Sequence, residues 1–246
     1  MEESKNDSSS IFYEVAMRRT EVYMNYKEEF IKLMLKANVL QFGDFTAKSG
    51  RKTPYFINMG NYKMGSDISK LGVFYADCYN ENLKNDKNLL FGPAYKGIPL
   101  VVTTSTALAV KYNLDLPFCF NRKEVKDHGE GGIFVGKKPE SGDSIVIIED
   151  VITAGTAIRE SMEIFSKIPN INVKALIIAV DRREKGQGAK STMQELEEQF
   201  GIKVYPIVTI DDIVEYLYNK EIDGKVYIDD AMKAKIDNYL ETYGVK

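Results

Sequence analysis

The chain has 246 residues, of which 44% are hydrophobic and 11% aromatic, enough to bury one ample α/β domain or two small ones. Its 33 lysines and arginines against 36 aspartates and glutamates leave a net charge of −3, so no bulk positive field indicates nucleic-acid binding. The longest aliphatic run, Ala175 to Val180, falls far short of the roughly 20 residues that span a bilayer. Two cysteines make no disulfide framework, so we expect a cytoplasmic protein with reduced, buried thiols.

The first part of the chain predicts an extension, a helix and a small antiparallel element. Residues 1–24 form an N-terminal extension that we expect to be partly disordered. A helix is predicted to begin near Asn25, whose side chain can cap it. Short extended pieces between residues 41 and 57 flank a turn at 48–51, which indicates an antiparallel strand pair.

From Ser66 onward the pattern alternates between helices and strands. Short strands, aliphatic on both faces, are predicted at residues 89–91, 116–120, 145–148, 173–180 and 203–208. Helices are predicted from Ser66, at 99–113, 154–168 and 192–200, and in two C-terminal stretches. Strands of this kind, separated by helices, indicate an α/β fold with a mainly parallel β-sheet flanked by helices.

Polar or glycine-rich segments directly follow several of the predicted strands. They are residues 92–97, 121–136, 149–156 and 181–188. Ligands of parallel sheets bind beyond the C-terminal ends of the strands, so we expect these segments to meet at one rim. The segment 121–136 is too long and too charged for a simple connector and is predicted to be a flexible loop.

The segment from Ser144 to Ser161 places two recognition chemistries side by side. Its strand runs into Glu149 and Asp150, whose carboxylates can accept hydrogen bonds from a pair of sugar hydroxyls. The turn 153–156 can offer backbone N–H groups and hydroxyls to a phosphate at a helix N-terminus. A ligand with a ribose diol and a 5′-phosphate would satisfy both. The alternative is an ordinary capped helix preceded by two solvent-exposed acids.

This segment resembles the phosphoribosyl-pyrophosphate (PRPP) signature of the type I phosphoribosyltransferases, and the chain from about Tyr26 is similar to the orotate phosphoribosyltransferases. The resemblance rests on four separated motifs, residues 45–56, 91–98, 121–132 and 149–161. It implies a type I phosphoribosyltransferase fold in a single domain, residues 25–246. A core at about 66–210 would carry a small hood element, built from about 25–65 and the C-terminal segment, and a flexible catalytic loop at 121–136.

The resemblance also implies the reaction. The 5-phosphoribosyl group of PRPP would pass to orotate, giving orotidine 5′-monophosphate and pyrophosphate in de novo pyrimidine (UMP) biosynthesis. The implied cofactor is Mg²⁺ carried by PRPP, with no dedicated protein metal site. The implied assembly is a homodimer whose active sites are shared between subunits, with neither nucleic acid nor membrane as a partner.

The matched motifs assign roles residue by residue. PRPP binding falls to Lys48, Tyr95, Lys96, Arg122, Lys123, Lys126, His128, Glu149, Asp150, Val151, Ile152, Thr153, Ala154, Gly155, Thr156 and Ala157. Orotate binding falls to Lys48, Phe56, Ile57, Thr153 and Arg182. The catalytic residues implied are Lys126, Lys96 and His128. Loop cations suit a departing pyrophosphate, and a forked guanidinium suits the orotate carboxylate.

This chain departs from the family pattern at two positions. Relatives often carry two aspartates where this chain has Glu149 and Asp150, and two aromatics where it has Phe56 and Ile57. We therefore expect Asp150 and Phe56 to carry the main contacts of their pairs. Two rival functions stay open, a PRPP-sensing regulator that binds nucleic acid, disfavoured by the net charge, and a purine phosphoribosyltransferase, disfavoured by Arg182.

Overall fold

The structure, a computed structural model, describes residues 26–47, 50–83, 86–126, 132–186 and 188–245. The extension 1–24 and the predicted cap Asn25 lie outside these residues. The elements in chain order are α1 (26–36), β1 (Leu40–Thr46), β2 (Lys52–Ile57), a short 3-10 helix (Met59–Asn61), α2 (Gly65–Leu83), β3 (Leu89–Gly92), α3 (Gly97–Tyr112), β4 (Phe118–Lys126), β5 (Gly132–Gly136), β6 (Ser144–Glu149), α4 (Thr156–Ser166), β7 (Asn172–Asp181), α5 (Thr192–Phe200), β8 (Lys203–Thr209), α6 (Ile210–Leu217), β9 (Glu221–Ile222), β10 (Lys225–Val226) and α7 (Asp230–Tyr243).

The core is a six-stranded sheet in the order β5-β4-β3-β6-β7-β8. Every neighbouring pair is parallel except β4 with β5, so the predicted mainly parallel sheet is confirmed. Side chains of β6 alternate between two hydrophobic clusters. Val146 and Ile148 join the cluster that contains α2 and α3, while Ile145 and Ile147 join the cluster that contains α4 and α5. All four are fully buried, and each such side chain stabilises the fold by roughly 1.5–3 kcal/mol.

The segment 121–136, predicted to be a flexible loop, is a β-hairpin over most of its described length. β4 continues six residues into this segment and pairs antiparallel with β5. Phe134 of β5 packs against Phe91 and Phe165, with ring centroids 6.2 and 6.0 Å apart. Burial of this aromatic cluster stabilises the edge strand β5. The loop prediction rested on the charges and glycines of the segment, which carry no information about this packing. The predicted loop therefore contains two strands, its tip 127–131 lies outside the described residues, and its flexibility and catalytic role stay a prediction.

The predicted antiparallel element is confirmed as the pair β1 and β2. The C-terminal helix α7 packs against this pair, and the rings of Tyr55 and Tyr239 meet edge to face with centroids 5.8 Å apart. Backbone hydrogen bonds of 2.8 Å join residues 183–185 to residues 243–245. The β1–β2 hairpin, the C-terminal helix and the segment after β7 are thereby packed together.

Several helix boundaries differ from the prediction by one or two residues. α2 begins at Gly65, one residue before the predicted cap Ser66, and α4 spans a shorter range than the predicted 154–168. α4 cannot begin earlier because Gly155 has a left-handed backbone, with a φ of +70°. The turn 153–155 therefore stays outside the helix and keeps its own shape.

Two expectations about the chain's environment can be compared with the structure. Cys78 and Cys119 are free and buried, as predicted. No helix of the described ranges combines the length and apolar character needed to cross a bilayer.

Candidate active site

A cleft of about 300 Å³ lies beyond the C-terminal ends of β3 and β6. Ala94, Tyr95 and Lys96 line one side, and residues 149–158 line the other. β3 and β6 are parallel neighbours, so the segments that follow them emerge at the same rim of the sheet. This confirms the prediction that the segments after these strands meet.

The acid pair Glu149 and Asp150 is held in place from both sides of β6. The Tyr75 hydroxyl of α2 donates to the Glu149 carbonyl at 2.7 Å, and the Ala179 N–H of β7 donates to the Asp150 carbonyl at 2.8 Å. The two acids are only 8% and 7% exposed. Buried charges persist only where hydrogen bonds or opposite charges compensate them, so their side-chain contacts decide their chemistry.

The two carboxylates are compensated differently. Asp150 accepts a hydrogen bond from the Val151 N–H at 2.6 Å and pairs with the Lys96 ammonium across the cleft, also at 2.6 Å. Among the described residues, the Glu149 side chain accepts one hydrogen bond, from the Asp150 N–H at 2.9 Å. Burial, with the nearby charge of Asp150, raises the pKa of the Glu149 carboxyl to about 7. Near neutral pH Glu149 can therefore both donate to and accept from a sugar hydroxyl, while the Asp150 carboxylate already has the Lys96 ammonium as a partner.

The turn 153–155 presents unused hydrogen-bond donors beside these acids. Within the described residues, none of its backbone N–H groups donates a hydrogen bond, and the first N–H groups of α4 have no intrahelical partner. The Thr192 hydroxyl of α5 donates to the Thr153 carbonyl at 2.7 Å. The C=O and N–H of a trans peptide point in opposite directions, so this bond turns the Ala154 N–H away from α5. The result is a helix N-terminus suited to a phosphate.

The predicted PRPP ligands of β4 lie on the hairpin. Arg122 donates from Nη1 to two backbone carbonyls of β5 at 3.1 and 3.3 Å, while Lys123 pairs with Glu160 of α4 at 3.0 Å. These contacts join β4 to β5 and to α4, the helix that follows the turn 153–155. A diphosphate would compete with them for both cations.

The hairpin is also connected to the Tyr95 side of the cleft. The Asn121 side chain accepts the Ala94 N–H at 2.8 Å, a contact that the sequence did not suggest. It helps to fix the loop that carries Tyr95, whose side chain is 70% exposed. Lys126 is the last residue of β4, but its side chain and the whole of His128 lie outside the described part of the chain.

The predicted orotate residues of the β1–β2 hairpin differ in exposure. Phe56 is 37% exposed and stacks on Phe45 with centroids 5.6 Å apart. Ile57 is half-buried and packs against the hydrophobic core. An aromatic face is therefore available at Phe56, whereas Lys48 lies outside the residues that the structure describes.

Arg182 lies directly after β7 in a buried charged cluster. Its Nη2 pairs with Glu184 at 2.6 Å, and its guanidinium lies over the Tyr55 ring, 5.0 Å from the centroid. The side chains of Arg182 and Glu184 are 19% and 17% exposed, so they are not surface charges. The neighbouring Arg183 instead pairs with Asp211, both largely exposed. The sequence did not reveal all the contacts of Glu184, because two of its partners, Arg51 and Tyr55, lie on the distant β1–β2 hairpin.

The chain that forms this cleft is similar to known proteins over most of its length. The phosphoribosyl transferase domain family matches residues 65–204. The chain is 54% identical over 221 residues to proteins named orotate phosphoribosyltransferase from Clostridium botulinum (strain Alaska E43 / Type E3) and Clostridium beijerinckii, covering 90% of this chain and 99% of each relative. A crystal structure of orotate phosphoribosyltransferase from Francisella tularensis superposes with a TM-score of 0.76 at 37% identity, covering 87% of this chain and 95% of that chain.

Proposed function

Because this chain belongs to the orotate phosphoribosyltransferase family, we propose that its cleft binds PRPP and presents it to orotate. The chain transfers the 5-phosphoribosyl group from PRPP to orotate, giving orotidine 5′-monophosphate and pyrophosphate, in pyrimidine biosynthesis. The observation that supports this use of the cleft is its pairing of buried acids with unused N–H donors. Those two halves match a ribose diol and a 5′-phosphate.

PRPP binding requires a rearrangement of the Lys96–Asp150 pair. The Lys96 side chain is largely exposed and can swing away, which frees the Asp150 carboxylate for a ribose hydroxyl. Lys96 then faces the diphosphate together with Tyr95. The remaining diphosphate ligands that we propose are Arg122, Lys123, Lys126 and His128, and the phosphate-binding set is Val151, Ile152, Thr153, Ala154, Gly155, Thr156 and Ala157.

The reaction requires the protein to position both substrates and to compensate the negative charge of the departing pyrophosphate. As pyrophosphate departs, ribose C1 gains positive charge, as in glycoside cleavage, and N1 of orotate attacks it. As the N1–C1 bond forms and the C1–O bond to pyrophosphate breaks, the proton on N1 of orotate passes to the departing pyrophosphate or to solvent. Cations around the diphosphate stabilise the leaving group, and closure of the site would exclude water that hydrolyses PRPP.

We propose that Mg²⁺ arrives chelated by PRPP. Glu149 and Asp150 are adjacent buried carboxylates at the cleft, and their oxygens would accept hydrogen bonds from the ribose hydroxyls while the ion keeps substrate and water oxygens as its ligands. When bound, the ion would neutralise charge on the diphosphate. The protein's own part is to orient the ribose and hold the two anionic ends of PRPP.

Orotate is proposed to lie between the β1–β2 hairpin and the end of β7. Arg182 would take its carboxylate, since a guanidinium can form two parallel hydrogen bonds with a carboxylate. The exposed ring of Phe56 would stack on the pyrimidine, with Ile57 contributing backbone contacts. Lys48 and Thr153 complete the proposed set.

An activity assay tests the proposed roles. The chain is incubated with PRPP, Mg²⁺ and orotate, and loss of orotate absorbance is followed. Lys126→Ala should lower the turnover number by a factor of about 100 or more, the scale of losing one transition-state charge contact. Near-normal turnover of this variant would show that the loop assignment is wrong. Adenine and hypoxanthine serve as competing bases, and their use in place of orotate would favour the purine enzyme.

We also propose a homodimer with shared sites, in the cytoplasm. The cytoplasmic location is supported by the free buried thiols of Cys78 and Cys119. Mixing a Lys126→Ala chain with an Arg182→Ala chain tests sharing. Recovered activity in the hybrid means that loop and orotate residues act from different subunits, and a hybrid as inactive as its parents contradicts it.

A further inference from the structure

A buried cluster of charged and aromatic side chains joins the end of β7 to the β1–β2 hairpin. Glu184 is at its centre. Its Oε1 receives Arg182 Nη2 at 2.6 Å and the Tyr55 hydroxyl at 3.0 Å, and its Oε2 receives Arg51 Nη1 at 3.3 Å. One carboxylate thus contacts one side chain after β7 and two from the hairpin, and both its oxygens are used.

The cluster has an excess of positive charge. Among the described residues that form it, Arg51 and Arg182 share one carboxylate, that of Glu184, and Tyr55 is neutral because burial raises the pKa of its hydroxyl. Among the described residues, Nε of Arg182 is buried without a hydrogen-bond partner. A buried guanidinium with an unsatisfied donor and incomplete charge compensation suits an additional anion.

The backbone of Glu184 is held as well as its side chain. Residue 184 forms an antiparallel bridge with Gly244, and the neighbouring Lys185 N–H donates to the Tyr243 carbonyl at 2.8 Å. The Tyr55 ring lies beneath the Arg182 guanidinium and limits its rotation. Glu184 is therefore a fixed point against which Arg182 is oriented.

We propose that Glu184 is a positioning residue of the orotate subsite: it holds the Arg182 guanidinium by one edge and leaves the rest of the fork for the substrate carboxylate. This proposal rests on the proposed role of Arg182. Glu184 stays paired when orotate binds. In the alternative, Glu184 binds Arg182 only in the absence of substrate and competes with orotate for it. Removing the Glu184 carboxylate would then lower the KM for orotate instead of raising it.

The sign of the effect can be measured with Glu184→Gln, which keeps the shape and one acceptor oxygen but removes the charge. We expect the KM for orotate to rise by about tenfold, the scale of one charged hydrogen bond, while the KM for PRPP changes less than about twofold. Asp211→Asn is the matched control, since it removes the carboxylate partner of the adjacent Arg183 on the surface. It should leave both KM values unchanged.

Three results would overturn the proposal: an unchanged orotate KM in Glu184→Gln, a lowered one, or an equal rise in the Asp211→Asn control. A double-mutant cycle on kcat/KM adds a readout that a purely structural role would not produce. If Glu184 acts through Arg182, then Glu184→Gln has little further effect in an Arg182→Ala background, whereas additive losses count against the proposal.

A second variant tests the positioning role of Glu184 if Glu184→Gln fails to fold. Tyr55→Phe keeps the ring beneath Arg182 and removes only the hydroxyl that donates to Glu184. It should raise the orotate KM by a few fold with the PRPP KM unchanged, and no selective rise would overturn the proposal. The proposed function fails separately, if the wild-type chain forms no orotidine 5′-monophosphate.

Discussion

Gly155 controls the shape of the turn 153–155. Its replacement by alanine should destabilise the folded protein for two reasons. Its φ of +70° is one that residues with a side chain rarely adopt. An added Cβ would also lie 2.9 Å from Cγ2 of Thr192 and 3.5 Å from Cδ1 of Leu196. Thr192 cannot move freely, because its hydroxyl donates to the Thr153 carbonyl.

The magnitude follows from these two contributions. The left-handed conformation costs alanine roughly 1–2 kcal/mol, and forcing a methyl group into a packed site costs roughly 1–3 kcal/mol. We expect Gly155→Ala to lower the free energy of unfolding by about 2–5 kcal/mol. Relaxation of the clash would displace the turn that bears the phosphate donors, so the KM for PRPP should rise more than the KM for orotate.

The assay is urea unfolding together with steady-state kinetics on two further variants. Gly201→Ala is the matched control, because Gly201 has a φ of +67° but no atom within 4 Å of its added Cβ. It should show the conformational cost alone and normal kinetics. Thr192→Ser removes Cγ2 and keeps the hydroxyl, so adding it to Gly155→Ala should reduce the loss of stability to about that of Gly201→Ala. Equal losses for Gly155→Ala and Gly201→Ala, or no recovery in the double variant, would show that the Thr192 contact does not matter.

Three further predictions concern buried groups. Burial raises the pKa of Glu149 from 4.5 to about 7, so the folding stability of the wild type falls as pH rises from 4.5 to 7. Glu149→Gln does not titrate, so it should be more stable than the wild type by about 3 kcal/mol above pH 7 and by little below pH 4.5. Urea unfolding at a series of pH values measures this difference. Phe165→Ala, which removes a ring stacked edge to face on Phe91 at 4.9 Å, should cost about 3–5 kcal/mol, and a loss below 1 kcal/mol would contradict its place in the core. Burial raises the pKa of the thiols of Cys78 and Cys119 to about 12, so both should resist alkylation at pH 8 until urea unfolds the chain, and rapid labelling of the native protein would refute their burial.

Local signals were enough to predict much of the fold and the central part of the candidate site. The sheet strands and their helices follow from runs of aliphatic residues and their spacing, which report burial within one element. Glu149, Asp150 and the turn before α4 were found for the same reason: they are contiguous in the chain, between one strand and one helix. Gly155 marks the turn because its backbone conformation is itself a local requirement.

What the sequence by itself determined is therefore the chemistry that contiguous residues carry, an acid pair beside a turn that presents backbone N–H donors, on a mainly parallel sheet. Only the tertiary structure decided which distant groups meet it: Lys96 against Asp150, the Thr192 hydroxyl beneath the turn, and Glu184 between two arginines. It also turned the expected loop at 121–136 into a strand pair. The physical reason is that such contacts depend on strand order and packing between elements, and hydrophobic periodicity specifies which face of an element is buried without specifying what covers it.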